Sequence, residues 1–289
     1  MTAPLVRNRI GVHTLSLASP CTLWLCARPV SALSTASVPS RNSLPRWFTP
    51  VLLTVIILLL LVRNLPWHLD DYDQAKQAFV SYEIVTEGNW WFQHTPAGRV
   101  ATKPPLAGWI SASLALVTGQ KVWDLAWRLP VFLSALTIMG LLWRAGGQLA
   151  GQIGSLVAVA AFGLNLFTPR LATLVRTDMM LSLWIFLAGY MVYEKIRTDA
   201  PWTTRDRFIL FGVILASMLT KGPIAYAFLL PGVVAFWWLE RRSPVAKYAW
   251  SGWWPWIAPL VFFGLWAGLG IWLSREFYEQ VVLHEFLGR

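Results

Sequence analysis

Ionisable side chains are scarce in this chain, and ten of them stand at the ends of apolar segments. These ten are Asp70, Asp71, Asp73, Lys103, Arg170, Arg176, Asp178, Lys221, His284 and Glu285. Only 13% of the residues are charged, whereas 56% are hydrophobic. A membrane protein that collects acids and bases at one water–lipid boundary typically carries out chemistry or transport there. We therefore expect these side chains to form a site at one face of a bilayer.

The elements that must position these residues are membrane helices. The apolar segments are 47–63, 129–143, 149–168, 178–194, 208–221, 223–239 and 252–273. They predict an all-α integral membrane protein, a multi-span helical bundle with about seven spans. The net charge is +10, but the basic residues cluster in short loops between apolar runs, which indicates membrane orientation rather than nucleic-acid binding. The two cysteines, Cys21 and Cys26, imply no disulfide framework.

Charge decides whether the short apolar stretch Pro104–Gly119 crosses the membrane. If it does not cross, thirteen lysines and arginines and four acids share one side, against eleven and ten on the other. This asymmetry satisfies the positive-inside rule, so residues 64–128 are predicted to form one long external loop. A crossing would place the basic loops 195–207 and 240–247 opposite the basic N-terminal segment.

The predicted external loop contains two interfacial helices. Apolar side chains recur near helical spacing at Ala75, Ala78, Phe79, Tyr82 and Val85. This pattern predicts an amphipathic helix in the interface, with the polar residues between, Glu83 among them, off the apolar stripe. The pair Gly88-Asn89 is expected to end this helix, and Pro104-Pro105 to start the next.

The first 45 residues differ from the rest. They are rich in Ser, Pro, Thr and Arg, and their broken apolar stretch is too short to span a bilayer. We interpret 1–45 as a disordered tail or as upstream sequence read from a wrong start codon. A cleaved signal peptide is the less favoured alternative, because the long apolar run comes later.

The ordered motifs resemble one family of membrane enzymes. Asp73-Gln74, Gly88-Asn89-Trp90 and Lys103-Pro104-Pro105 are similar to the first external loop of polyprenyl-phosphate-dependent glycosyltransferases of the GT-C superfamily. Within it, the resemblance is to the aminoarabinose–lipid A transferase and protein O-mannosyltransferase branch. Later motifs follow in the family's order, at Arg128-Leu129-Pro130, Thr177-Asp178-Met179, Leu219–Pro223 and His284–Arg289. The resemblance covers about 46–289, which would be a GT-C transmembrane domain.

This resemblance implies transfer of a sugar from a polyprenyl-phosphate donor to a lipid, glycan or protein acceptor. Asp73 and Asp178 are the implied catalytic residues, which orient or deprotonate the acceptor or hold a divalent metal. The implied donor-phosphate ligands are Lys103, Lys221, Arg128, His284 and Arg289. The implied location is the inner (plasma) membrane, with the site facing the periplasm or exterior.

Three departures from the family pattern keep other functions open. Gln74 replaces an acid, Ala101-Thr102 replaces an aromatic-Glu pair, and the chain ends within the last motif, as expected for a truncated form. An inactive remnant of such an enzyme is one alternative. A transporter or flippase is another, although such proteins usually place charges near the bilayer midplane within repeated halves.

Structural roles compete with each catalytic role. Asp73 is a candidate N-cap, and Asp71 with Gln74 would make a capping box, or Asp70 and Asp71 would be solvated loop acids. Asp178 is a second candidate N-cap, together with Thr177. The lysines could extend to the headgroups, Arg128 could anchor the interface, and His284 could be structural.

Overall fold

The computed structural model describes residues 44–243 and 246–287, and 74% of it is helical. All but two residues of the predicted N-terminal segment 1–45, together with Arg289, lie outside the described residues, as does the side chain of His284. The helices are α1 Phe48–Val62, α2 Tyr72–Glu87, α3 Leu106–Val117, α4 Trp123–Gly163, α5 Thr168–Leu171, α6 Asp178–Arg197, α7 Thr204–Lys221, α8 Ile224–Leu239, α9 Ala246–Ala249, α10 Trp254–Leu273 and α11 Arg275–Phe277. A π-helical segment, Tyr278–Leu287, follows α11. The all-α prediction is confirmed for the described residues.

Helix α4 is a hairpin of two helical halves. Its backbone leaves helical geometry at Ala150 and at Gly151, where φ is +62°. A Cβ on Gly146 would lie 2.4 Å from the carbonyl oxygen of Gly154. In a straight helix those residues would be about 12 Å apart along the axis, so the chain doubles back between them. The two predicted segments 129–143 and 149–168 are therefore confirmed as separate halves.

Two apolar clusters hold the bundle together. One joins α1, α4 and α6 and includes Ile56, Leu60 and Val159, all fully buried. The other joins α6 to α7, α8 and α10 and includes Leu210 and Ile214. Helix α6 contributes to both clusters, so it is the central element of the described bundle.

Three helical stretches are long and apolar enough to cross a membrane: Trp123–Gly163, Asp178–Arg197 and Ala246–Leu273. Shorter apolar helices are Phe48–Val62, Leu106–Val117 and Ile224–Leu239. With 12 residues, α3 is roughly 18 Å long, which is less than the hydrocarbon core of a bilayer. This length agrees with the prediction that Pro104–Gly119 does not cross, while the count of seven spans stays a prediction.

The predicted loop helices form, but α2 packs through a different face than its apolar stripe suggests. Gly88, with φ +76°, ends α2, and α3 begins directly after Pro104-Pro105, as predicted. However, Gln74, Ser81 and Glu83 are buried, whereas Phe79 is only partly buried and Tyr82 is exposed. Glu83 lies off the apolar stripe, as predicted, but it is buried, because Asn89 and His94 of the following loop contact it.

Candidate functional site

The first turn of α2 separates the capping residue from the candidate catalytic acid. Asp71 is the N-cap, in an extended conformation, and its carboxylate accepts a hydrogen bond from the Gln74 backbone N–H at 2.7 Å. Asp73 follows inside the first turn and its side chain is 56% exposed. The alternative that Asp73 caps the helix is therefore wrong, and so is the interpretation of Asp71 as a solvated loop acid.

Arg176 joins both of these acids to the start of α6. Its guanidinium lies 3.1 Å from the Asp71 carboxylate and 3.3 Å from that of Asp73. Desolvation acts to raise the pKa of Asp71, but hydrogen bonds from Gln74 and the charge of Arg176 outweigh it and lower that pKa below 3.8. Asp73 is thus held beside the N-terminus of α6, more than one hundred residues later in the sequence.

At that N-terminus, Asp178 pairs with a lysine instead of capping its helix. The residue at the cap position, Thr177, has helical backbone angles and makes no side-chain cap, which excludes the predicted capping role. The Asp178 carboxylate accepts a hydrogen bond from Lys221 Nζ at 2.6 Å. Lys221 is the last residue of α7, so this ion pair ties the end of one helix to the beginning of another.

Lys103 stands between these two pairs without a close partner. Its ammonium makes no ion pair within 4.0 Å among the described residues. Burial lowers its pKa below the ordinary 10.5, attraction by Asp73 and Asp178 opposes this change, and repulsion by Lys221 and Lys76 adds to it. The structure therefore brings Asp73, Lys103, Asp178 and Lys221 together, and we call these four residues the charged cluster.

A buried carboxylate that the sequence reasoning missed organises the loop before Lys103. Glu83 is 2% exposed and accepts hydrogen bonds from the Asn89 side chain at 2.8 Å and from the His94 backbone N–H at 2.5 Å. The His94 ring also contacts it at 2.5 Å. Glu83, Asn89 and His94 are spaced by six and five residues. This spacing matches no helix or turn pattern, so the arrangement had no usable sign in the sequence.

The far side of the same loop is tied to the end of the chain. The Ala101 N–H donates to the Gln93 carbonyl at 2.8 Å, and the Val100 N–H donates to the Glu276 carboxylate at 3.2 Å. Both contacts lie within three residues of Lys103, so they restrict where its backbone can go.

Curated proteins with known activities are similar to this chain. An undecaprenyl phosphate-alpha-4-amino-4-deoxy-L-arabinose arabinosyl transferase of Shewanella sediminis is 30% identical over 199 residues, which are 68% of this chain and 35% of that protein. Transferase 1 of the same name from Pseudomonas fluorescens is 25% identical over 239 residues, covering 74% of this chain and 38% of that protein. No protein-family model matches the chain.

Solved structures show the same fold. ArnT from Cupriavidus metallidurans bound to undecaprenyl phosphate superposes with a TM-score of 0.66 and 22% identity, covering 84% of this chain and 45% of ArnT. The apo structure of that protein gives 0.67 and 21% identity, over 83% and 44%. The chain is therefore similar to these transferases in sequence and to ArnT in fold. It has their membrane fold and spans little more than a third of the length of the curated relatives it matches.

In this fold, Arg128 lies apart from the charged cluster. It is 2% exposed, and its guanidinium donates to the carbonyls of Thr173 at 2.8 Å and His68 at 3.4 Å. Its nearest carboxylate, on Asp124, is 3.8 Å away, and its guanidinium lies 5.7 Å from the centre of the Trp67 ring. A residue so deeply buried does not anchor the interface, and the structure does not bring it to Lys103 or Lys221.

A divalent metal does not fit Asp73 and Asp178 as the structure pairs them. Asp73 and Asp178 each face a cationic side chain, at 3.3 and 2.6 Å. Among the described residues, no group of three or more His, Cys, Asp and Glu side chains is arranged to hold a metal ion. As the structure pairs them, the residues of the charged cluster offer two carboxylates and two ammonium groups.

Proposed function

We propose that this chain forms the acceptor-activating and donor-binding part of a membrane glycosyltransferase that uses a polyprenyl-phosphate sugar. The convergence of Asp73, Lys103, Asp178 and Lys221 at one end of the bundle is the observation that carries this proposal. The names of the curated relatives support undecaprenyl phosphate-aminoarabinose as the donor class. The curated relatives are about three times as long as the matched region, so the transfer activity is proposed for a protein of their full length.

Each member of the charged cluster has a role in this reaction. An oxygen of the acceptor attacks the anomeric carbon, and the bond from that carbon to the phosphate oxygen breaks. Asp73 takes the proton from the acceptor, and its exposed carboxylate is accessible for this task. The leaving polyprenyl phosphate keeps the bonding electron pair, and the Lys103 ammonium stabilises its charge.

Asp178 and Lys221 position the cations around the donor. Their 2.6 Å ion pair fixes Lys221 at the end of α7, where its charge adds to that of Lys103. The charged cluster has two lysines and two acids, so its formal charge is zero. The two lysines repel each other, and a phosphate that binds between them replaces this repulsion with attraction. The charge asymmetry of the loops supports an external, periplasmic location for this end, and we propose the inner membrane as the membrane that holds the chain.

Substitution of Lys103 tests the proposal. Lys103→Met in the complete protein removes one charge-assisted contact to the donor phosphate, worth about 1.5–3 kcal/mol. We expect transfer of labelled aminoarabinose from its undecaprenyl phosphate donor to fall by roughly tenfold to a hundredfold. Lys121→Met, at an exposed lysine of the same predicted loop, is the matched control. Equal activity of the two variants at equal protein level would show that Lys103 does not contact the donor.

A further inference from the structure

Gln74 is buried in the first turn of α2. It directly follows the exposed Asp73, yet it is only 3% exposed itself. Its backbone N–H donates to the Asp71 carboxylate at 2.7 Å, so the N-cap fixes the point from which the Gln74 side chain starts. A buried polar side chain without hydrogen-bond partners would cost free energy. The partner of the Gln74 side chain therefore shows what this residue holds.

That partner is a buried backbone group of a distant segment. Gln74 Oε1 accepts a hydrogen bond from the Val175 N–H at 3.3 Å, across 101 positions of the sequence. Val175 is 3% exposed and lies between α5 and α6, where no backbone carbonyl of the described residues accepts from its N–H. A backbone N–H is an obligatory donor, and burying it without an acceptor is costly. The side chain of Gln74 thus supplies the acceptor that the local backbone does not.

Val175 directly precedes residues whose charges matter for the site. Arg176 is next in the sequence, and its guanidinium lies 3.1 Å from the Asp71 carboxylate and 3.3 Å from that of Asp73. Asp178 comes three residues after Val175 and begins α6. A rotation of the backbone at Val175 would therefore displace both charged side chains relative to α2.

The hydrogen bond of Gln74 is the buried link between α2 and this segment. The ion pairs of Arg176 with Asp71 and Asp73 join side chains that are 32–56% exposed, and solvent weakens pairs of this kind. Both residues of the hydrogen bond between Gln74 and Val175 are 3% exposed, and a hydrogen bond is electrostatically stronger in the interior than in water. The buried contact therefore fixes the separation of the two segments, and the ion pairs orient the Asp73 carboxylate within it.

Water could satisfy the Val175 N–H but could not replace this link. A cavity of about 260 Å³ adjoins both Gln74 and Leu174, and it has room for several water molecules. A water molecule would accept the hydrogen bond, yet it is not attached to α2, so the two segments would no longer be held together. The link needs an acceptor oxygen on a side chain of this length. It does not need an amide, since a glutamate side chain offers an acceptor in either protonation state.

We propose that Gln74 is a positioning residue for Asp73. By holding the Val175 N–H, its side-chain oxygen keeps Arg176 opposite the Asp73 carboxylate, so that this carboxylate meets the acceptor in one orientation. This role rests on the proposed function, in which Asp73 takes the proton of the acceptor. Gln74 itself acts through these neighbours, so loss of its oxygen should slow the transfer step without changing donor binding.

Amide hydrogen exchange in the purified 289-residue chain in detergent tests the contact. Gln74→Met keeps the length of the side chain but removes its acceptor, so the amides of residues 174–177 should exchange at least about tenfold faster than in the unaltered chain. Gln74→Glu keeps an acceptor and should keep the protection. Gln77→Met, the same change at a partly buried position of α2, is the matched control. Unchanged exchange at 174–177 in Gln74→Met, or an equal increase in Gln77→Met, would overturn the proposal.

Sugar transfer by a protein of the relatives' full length tests the consequence for catalysis. Gln74→Met should lower kcat by roughly tenfold to a hundredfold, because a displaced base loses its alignment with the acceptor, and should leave the KM for the donor within about twofold. Gln74→Glu should recover most of kcat, which a role in packing alone does not predict. A raised KM at constant kcat, or an unchanged kcat, would overturn the positioning role. Absence of transfer in the unaltered protein would instead overturn the proposed function, and the exchange result would still decide the contact at Val175.

Discussion

The two ends of helix α6 carry ion pairs of opposite character. At the Arg197 end, Glu194 accepts hydrogen bonds from the Tyr190 hydroxyl at 2.6 Å and from Arg197 at 2.7 Å, and these partners are four and three residues away. At the Asp178 end, the pairs join residues that are 43 and 105 positions apart. The two ends are separated by 20 residues, or roughly 30 Å of helix.

The lysine at the Arg197 end has a close carboxylate partner, whereas a lysine at the Asp178 end has none among the described residues. Lys195 pairs with Asp206 at 2.5 Å, and Thr203 and Asp206 form a capping box at the start of α7. At the other end, Lys103 keeps an ammonium without a close partner among the described residues. Local pairs that satisfy one another serve the fold, while distant pairs with a spare cation fit a site that takes an anionic ligand.

The sharpest way to break this comparison is to remove the charge of Asp73. Asp73→Asn in the complete protein should lower sugar transfer by roughly 10²–10⁴-fold, the usual contribution of a positioned base. Helix α2 should be unaffected, because Asp71 supplies its cap. The measurement is transfer of labelled sugar at matched protein level. Asp199→Asn, at an exposed acid near the Arg197 end, is the control, and a similar loss there would mean that the effect is not specific to the site.

A smaller loss is expected from the ion pair at the start of α6. Asp178→Asn removes the charge that holds Lys221, so transfer should fall by roughly tenfold to a hundredfold, as for a hydrogen bond to a charged group. The thermal unfolding midpoint should change little, since both side chains are about one-third exposed. A large drop in that midpoint with transfer unchanged would assign the pair to stability instead.

The Arg197 end should respond in the reverse way. Thr203→Ala removes the cap of α7 and should lower the free energy of unfolding by about 0.5–2 kcal/mol. Transfer per folded molecule should stay the same. Thermal unfolding in detergent measures the effect, with Thr204→Ala at the next, exposed position as its control. Loss of transfer without loss of stability would contradict the contrast between the two ends.

The pH dependence of donor binding sharpens the comparison further. Since the pKa of Lys103 is below 10.5, its ammonium loses the proton at lower pH than an ordinary lysine. Donor affinity should therefore decline on the alkaline side before pH 10.5. Lys103→Arg, which stays charged, should remove this decline. An identical alkaline profile in both proteins would assign the decline to another group.

The smallest effect is expected in acid, from Asp206. Desolvation opposes its ionisation, but hydrogen bonds from Lys195 and Thr203 prevail and lower its pKa from 3.8 to about 2. A depressed carboxyl pKa stabilises the fold above the unfolded value, and this contribution disappears as the pH falls from about 4 to about 2. Asp206→Asn should flatten that part of the stability curve. An unaltered acid limb in the variant would show that the pair contributes nothing measurable.

Helix boundaries set by local residue chemistry could be predicted from this sequence. Gly88 and Pro104-Pro105 mark helix boundaries because their backbone restrictions act within a few residues. The meeting of Asp73 with the start of α6 followed from topology, since the predicted spans put both at one membrane face. The roles of these residues in catalysis remain predictions.

What the sequence did not reveal depends on partners outside each helix. Glu83 is buried because Asn89 and His94 come back to it, and Gln74 is buried because it receives the Val175 N–H, 101 residues away. The pattern of α2 alone favours the wrong face. Thr177 is a residue type that often caps helices, but its backbone angles are helical and its side chain makes no cap. These backbone angles depend on the packing at the start of α6.

The hairpin of α4 has a consequence for how the bundle assembles. Its halves meet through Gly146 and Gly154, only eight residues apart, with Ser155 donating to the Trp143 carbonyl at 2.8 Å. Contacts of such short sequence separation close quickly, because little loop entropy is lost, whereas contacts across one hundred residues close slowly. The hairpin is therefore expected to form early and to present a finished surface to α1 and α6. We therefore expect the uncharged contact between Gly146 and Gly154 to form first, and the ion pairs of Asp73 and Asp178 to form last.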